Sequence, residues 1–257
     1  MFEKEFDIAG MAARAAGALL KESFGKAHQI VKKGEVDLVT EADLAAETTI
    51  LEILQSHFPQ DNILSEEAGE HDMASERIWI VDPLDGTTNF AHGFPFFAVS
   101  IGLEVAKEIV LGVVYSPIME EFFHARLGMG AFLNDKPIHV SNASALSESL
   151  LSTGFPYDIR KRPNRIFEQF QRMVLRSQGV RRAGSAAIDL CYVAAGKFDG
   201  LWEENLKPWD TAAGAIIVKE AGGTVSNFEG GPFSPYVDSV VAGNPLIHRE
   251  IVRTLQG

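Results

Sequence analysis

Apolar residues recur at steps of three and four from Phe2 through Phe6, Ala9, Ala13, Ala16 and Leu20 to Phe24. That spacing puts them on one face of a helix, and Gly25 stands where a C-terminal cap belongs. Residues 40–58 carry a second such face, formed by Ala42, Ala46, Ile50, Ile53 and Leu54, and Pro59 closes it. Between the two helices, residues 28–33 read as a strand. The rhythm then shortens. Residues 62–65, 77–81, 96–105, 109–115 and 121–125 are strand-like runs, and Ala106-Lys107-Glu108 is a hairpin turn between two of them. Helices laid on a largely antiparallel meander are the expectation for this half.

The second half keeps a different rhythm. Gly128, Gly130 and Asn134-Asp135 mark a loop. Beyond it, residues 163–177, 185–195 and 208–221 read as helices. Short strands fall near Leu150 and Val180, over residues 198–202, near Thr224 and over residues 239–242. No low-complexity linker and no internal repeat separates the halves. Residues 1–144 and 145–257 are therefore expected to pack as one unit.

Composition narrows the class. The chain has 257 residues, 46% apolar and 23% charged, which excludes disordered and fibrous proteins. Its one cysteine, Cys191, excludes an intrachain disulfide and a cysteine zinc cluster. Ile188, Leu190 and Val193 around it mark a core thiol, not a nucleophile. The seven histidines are scattered, with no pair at the spacing of a helical metal site. A formal charge of −12 makes nucleic acid and anionic membranes poor partners. The longest uncharged run, residues 86–103, is too polar to span a bilayer. Glu3, Glu5 and Asp7 stand where a signal peptide carries positive charge, so a cytoplasmic location is expected. The phosphate-loop, HExxH and GxSxG patterns are absent.

The acids are not evenly spread. A buried β-run ends in Asp82-Pro83-Leu84-Asp85-Gly86-Thr87-Thr88-Asn89-Phe90. Pro83 fixes φ, Gly86 permits a tight turn, and Thr87-Thr88-Asn89 offers helix-start chemistry. Carboxylates and carbonyls suit a hard cation, and backbone N–H groups at a helix start suit an anion. Three more acidic positions compete with simpler readings. Glu66-Glu67 follows a strand and could be a solvated loop. Asp210, in Pro208-Trp209-Asp210-Thr211, could be a helix-start aspartate favoured by the dipole. Asp43, three residues after Thr40, could be its capping-box partner.

Taken together, these segments resemble the inositol monophosphatase family of Mg²⁺-dependent, lithium-sensitive phosphatases. DPLDGTTNF and PWDTAAGAIIVKEAGG match its two signatures, with SEE, DLVTEAD and RRAGSAAIDLCYVAAGKFDGLWEEN in the expected order. The resemblance covers nearly the whole chain. It implies an α+β fold of layered αβαβα sugar-phosphatase type, similar to that of fructose-1,6-bisphosphatase, and a homodimer.

The resemblance also implies roles. One Mg²⁺ would take Glu66, Asp82 and the carbonyl of Leu84, and a second would take Asp82, Asp85 and Asp210. A third, weaker ion would sit near Glu66, giving two to three per site. Glu67 and Thr87 would position the attacking water, with Asp43 accepting from the Thr87 hydroxyl. The amides of Gly86 and Thr87 would hold phosphate oxygens, with Lys32 nearby. Ser185, Ala186 and Glu203 would meet the alcohol, although Glu204 leaves the register at Glu203 open. Arg181 and Arg182 could reach substrate, reach a partner subunit, or be a solvated pair.

The reaction so implied is hydrolysis of a small sugar or cyclitol phosphate monoester, by metal-activated water attacking phosphorus in line. myo-Inositol monophosphate is the favoured substrate. Fructose 1,6-bisphosphate, alone or in addition, is the nearest rival. A regulatory binding protein that keeps the site is the rival from another class.

Overall fold

The computed structural model describes residues 2–26, 30–32, 38–71, 75–156, 159–161 and 163–257. Its first helix, α1 (Glu3–Ser23), buries Ala9, Ala12, Ala13, Ala16 and Leu20. A hairpin of β1 (Ile30–Lys32) and β2 (Leu38–Thr40) leads into α2 (Glu41–His57), which lies beside α1. Gly10 and Gly17 let α1 lie close to the sheet below it: a Cβ there would meet the Phe122 ring at 3.4 Å and the Tyr115 ring at 2.6 Å.

Among the described residues that sheet has eight strands. They are β3 (Asn62–Ser65), β4 (Gly69–His71), β5 (Arg77–Asp85), β6 (Ala98–Val105), β7 (Glu108–Ser116), β8 (Glu121–Arg126), β9 (Ala131–Leu133) and β10 (Lys136–Ile138). Their order is β10-β9-β8-β7-β6-β5-β3-β4. From β5 to β10 it is the expected antiparallel meander; β3 alone runs parallel to its neighbour β5. A five-residue helix, α3 (Thr87–Ala91), follows β5.

The second sheet joins β11 (Leu150–Thr153), β12 (Gly179–Arg181), β13 (Gly200–Glu204), β14 (Thr224–Ser226) and β15 (Ser239–Gly243) in the order β12-β11-β13-β15-β14. Two helices, α5 (Ala186–Ala194) and α6 (Pro208–Glu220), fill the space between the sheets. On the far face lie α4 (Pro163–Val174) and α7 (Pro245–Gln256). The layers are α1/α2, sheet, α5/α6, sheet, α4/α7, the αβαβα order that the resemblance implies. Every residue of α5 is buried, Cys191 among them.

A close approach of backbones sets the height of α6. Gly102 and Gly112 face each other across β6 and β7. A Cβ at Gly112 would come within 2.5 Å of the Ala213 carbonyl of α6. The glycine pair is a notch that seats α6 directly on the sheet and carries its first turn over the end of β5.

The structure adds elements that the patterning misses. The loop expected at Asn134-Asp135 is a hairpin joining β9 to β10, with φ of 47° and 63° at its two turn residues. That is the left-handed pair of a type I′ turn, which Asn and Asp tolerate. The turn at Ala106-Lys107 has the same form, with φ of 50° and 68°. Helix α7 is absent from the elements the patterning predicts, although Asn244 caps it through Leu246 and Ile247 N–H groups and Pro245 opens it.

Candidate active site and metal centre

Strict alternation along β5 would send Asp82 and Asp85 to opposite faces, since they are three residues apart. The pairing of β5 with β6 is irregular between them: Asp82 opposes Ser100, and Asp85 opposes Ala98. Such an irregularity re-aims side chains. Here the Asp82 carboxylate turns back to accept the Leu84 N–H at 2.9 Å. With Asp210 from the first turn of α6, the two acids present carboxylate oxygens that lie within 4.8 Å of one another. Asp82 is 1% exposed and Asp85 9%, Asp210 is half-buried, and all three line one cavity.

Each acid is held from behind. Asp85 Oδ2 accepts the Ser185 hydroxyl at 2.6 Å and the Ala187 N–H at 2.7 Å, both at the start of α5. Asp210 Oδ2 accepts the Lys207 N–H at 2.6 Å. Glu66 follows β3, donates its own N–H to the Val81 carbonyl at 3.2 Å, and lines the same cavity. The Glu67 side chain does not line it; the Glu67 N–H donates to Glu47 on α2 at 3.1 Å.

Crowding acids out of water disfavours their charged forms. Burial pushes the Asp82 carboxyl well above the usual range, and Glu66, Asp85 and Asp210 push it further. Burial raises Asp85 to about 6, opposed by the Ser185, Ala187 and Ala186 donors. Burial and then Asp85 raise Asp210 to about 8. A buried cluster of mutually repelling carboxylates calls for a cation, and an all-oxygen donor set suits Mg²⁺.

Thr87, at the start of α3, places its hydroxyl 3.1 Å from Asp43 Oδ1 and 3.1 Å from the Leu84 carbonyl. Asp43 is 1% exposed on α2 and lies within hydrogen-bond reach of that hydroxyl. The competing cap with Thr40 falls on a side chain outside the described ones. So does Lys32, whose backbone lies in β1. Gly86 has φ of 98°, and a Cβ there would meet the Phe96 carbonyl at 3.0 Å and the Gly184 carbonyl at 3.2 Å. Asn89 ties this turn to the second half of the chain, donating to Phe96 O at 2.7 Å and Ala183 O at 2.9 Å.

The cavity measures about 320 Å³ and continues from the acids toward Gly154, Ala186, Asp189 and Glu203. Ser185 reaches this wall, but its hydroxyl is directed at Asp85. Burial and then Asp85 lift Glu203 to about 8, opposed by Arg182. Glu204 also lines the cavity and stands 3.9 Å from Arg165.

Two residues here, Asp189 and Glu47, escape a reading of the sequence, and a third, Arg182, is left open by it. Asp189 is 1% exposed, and its Oδ1 has no hydrogen-bond partner among the described residues. Its signal is an acid among Ile188, Leu190 and Cys191, four residues after Ser185 on the same helix face. Arg182 lines the cavity, whereas the sequence leaves it equally a solvated residue. Glu47 leaves no signal beyond being an acid on the apolar side of a helix. The whole arrangement offers hard-cation ligands at one end, backbone donors at a helix start, and acids that can accept from hydroxyl groups at the other end.

The chain matches the model of the inositol monophosphatase family over residues 3–257. It is 47% identical over 251 residues to an inositol-1-monophosphatase of Synechocystis sp., covering 97% of this chain and 88% of that protein. It is 40% identical over 253 residues to a fructose-1,6-bisphosphatase/inositol-1-monophosphatase of Aquifex aeolicus, covering 98% and 95% of the two chains. Among solved structures, the extragenic suppressor protein suhB from Bartonella henselae superposes with a TM-score of 0.94 at 41% identity, covering 99% of each chain.

Proposed function

The chain belongs to the inositol monophosphatase family, a family of Mg²⁺-dependent phosphatases, and from that premise we propose that it hydrolyses myo-inositol 1-phosphate. The observation that carries the reading is the convergence of Asp82, Asp85 and Asp210 within 4.8 Å, in a cavity whose far wall holds further acids.

In this reading Glu66, Asp82, Asp85, Asp210 and the Leu84 carbonyl hold two Mg²⁺, with a weaker third beside Glu66. When bound, Mg²⁺ supplies charge neutralisation for the phosphate dianion and acidifies water. The chain's own residues do the rest. The amides of Gly86 and Thr87, with Lys32, orient the phosphate oxygens. The hydroxyl of Thr87, its hydrogen given to Asp43, accepts from the attacking water. Glu67, whose side chain lies outside the cavity lining, would have to turn inward to assist. Ala186 and Glu203 meet the hydroxyls of the leaving alcohol. Ser185 acts first on Asp85, which its hydroxyl keeps aimed at the cavity.

The reading takes residues 1–144 and 145–257 as one catalytic unit. It draws support from Asp85, which is held by α5 of the second half. We place the enzyme in the cytoplasm, and as a lithium-sensitive homodimer, the latter as the resemblance implies. Among the described residues no helix is long and apolar enough to cross a membrane. Fructose 1,6-bisphosphate is the second reading, favoured by the double name of the Aquifex aeolicus relative.

Phosphate release from inositol 1-phosphate, fructose 1,6-bisphosphate and p-nitrophenyl phosphate, with and without Mg²⁺ after EDTA treatment, tests the proposal. Mg²⁺-dependent release, fastest from inositol 1-phosphate and inhibited by millimolar Li⁺, is the expected result. Full activity without metal would sink the scheme. A higher kcat/KM on the bisphosphate would promote the second reading.

A further inference from the structure

Two buried acids one turn apart on α2 reach two different parts of the cavity wall. Asp43 holds the Thr87 hydroxyl. Glu47, four residues on and 6% exposed, gathers three donors on one oxygen, Oε1. They are the Ser65 hydroxyl, the Glu67 N–H at 3.1 Å and the Ala68 N–H at 3.0 Å. Ser65 is the last residue of β3, and β4 begins only at Gly69. Over the intervening turn, the Glu66 N–H bonds β5 on one side. Its neighbours on both sides bond Glu47 on the other.

That turn works against a force. Glu66 lines the same cavity as the carboxylates of Asp82, Asp85 and Asp210. Two carboxylates that repel separate unless the backbone between them is tied down. Glu47 does not line the cavity, so whatever it does there passes through residues 65–68.

We propose that Glu47 is a positioning residue that sets the affinity of the site for its divalent cation, by fixing the Glu66–Glu67 turn against α2. This rests on the proposed role of Glu66 as a Mg²⁺ ligand. Helix α2 then serves the site twice. Through Asp43 it acts on the group that handles water, and through Glu47 on the group that handles metal. The two should separate in experiment: Asp43 governs turnover, and Glu47 governs cation affinity.

The test is calorimetric titration of Mg²⁺ into metal-free wild type, Glu47→Ala, Glu47→Gln and Ser65→Ala. Steady-state kinetics over a Mg²⁺ series accompany it, below the melting temperature of every variant. Glu47→Ala should weaken Mg²⁺ binding ~10-fold, the low end for loss of a group that orients a ligand. The kcat at saturating Mg²⁺ should change far less. Glu47→Gln keeps an acceptor oxygen and should recover most of the affinity. Ser65→Ala removes one donor and should give a smaller shift in the same direction; it and Glu47→Gln carry the test if Glu47→Ala does not fold. Unshifted Mg²⁺ affinity in the folded variants would overturn the proposal while leaving the wild-type reading intact. So would a loss confined to kcat, or no recovery in Glu47→Gln. Failure of wild type to bind Mg²⁺ would instead overturn the reading of the site, and this inference with it.

Discussion

The Thr87 hydroxyl stands 3.1 Å from Asp43 across 44 positions of chain, and an equal 3.1 Å from the Leu84 carbonyl. A hydroxyl has one hydrogen, so one acceptor at a time receives it. Were the Leu84 carbonyl to bind the proposed cation, the hydrogen would go to Asp43, and the Thr87 lone pairs would be free to accept from water. Thr87→Ala should lower kcat by at least ~10²-fold, the low end for a positioned proton-transfer group. KM should move less. Asp43→Ala should act in the same direction. A variant of Asp43 that loses stability yet turns over at the wild-type rate would reduce the pair to a structural contact.

Glu203 packs so closely on Gly154 that a Cβ there would overlap its carboxylate. That gives two independent ways to disturb the alcohol end. Glu203→Ala removes the acceptor; Gly154→Ala leaves it in place and pushes it aside. Both should raise KM for inositol 1-phosphate far more than for p-nitrophenyl phosphate, which offers no ring hydroxyls. Equal effects on the two substrates, measured by steady-state phosphate release, would move Glu203 out of the alcohol pocket.

Much of this is legible in the chain, for reasons that differ by element. The helix faces of α1 and α2 and the strands of the meander follow from local periodicity, which one window of sequence contains. The acidic turn at Asp82–Asp85 is legible because its residues are neighbours. Relations between distant segments are not legible. That the Ser185 hydroxyl serves Asp85 depends on where α5 meets β5. That Glu47 closes the turn after β3 depends on how α2 lies over the sheet. A lone acid among apolar residues, as at Asp189, is a local oddity whose place in the cavity wall only the fold reveals. The α7 helix is a different case: its Asn244-Pro245 start is in plain view, and its face of Ile247, Ile251 and Leu255 is short.

The metal-free protein should lose stability as pH rises from about 4 to about 8. The native carboxyls of Asp85 and Asp210 hold protons up to about 6 and about 8, while the unfolded chain releases them at the usual carboxylate values near 3.8. In that window the native state binds more protons than the unfolded one, so the free energy of unfolding falls with pH. The stabilising share is complete below the unfolded value and is lost as pH passes the native one. Thermal melts in EDTA should therefore show Tm falling between pH 5 and pH 8. Saturating Mg²⁺ should flatten or reverse the slope, because the cation replaces the protons. A Tm in EDTA that rises steadily over this range would contradict the sign.

Asp85→Asn separates a cation ligand from an ordinary turn residue. The side chain is nearly isosteric. Its amide oxygen can keep the Ser185 hydroxyl and the Ala187 N–H that Asp85 Oδ2 accepts. What it removes is a buried negative charge beside Asp82 and Asp210. In EDTA that relief is worth on the order of 1–3 kcal/mol. At this chain length it should raise Tm by a few degrees. In Mg²⁺ the order reverses in kind. Wild type gains RT ln(1 + [L]/Kd), about 2.7 kcal/mol at a hundredfold excess over Kd. The variant has lost a ligand and should gain less, and its phosphatase activity should fall sharply. If Asp85 served only the turn, Asn would be tolerated there with no change in metal response. Four melts decide the matter, wild type and variant each in EDTA and in Mg²⁺. Equal Mg²⁺ shifts in the two proteins would remove Asp85 from the ligand set.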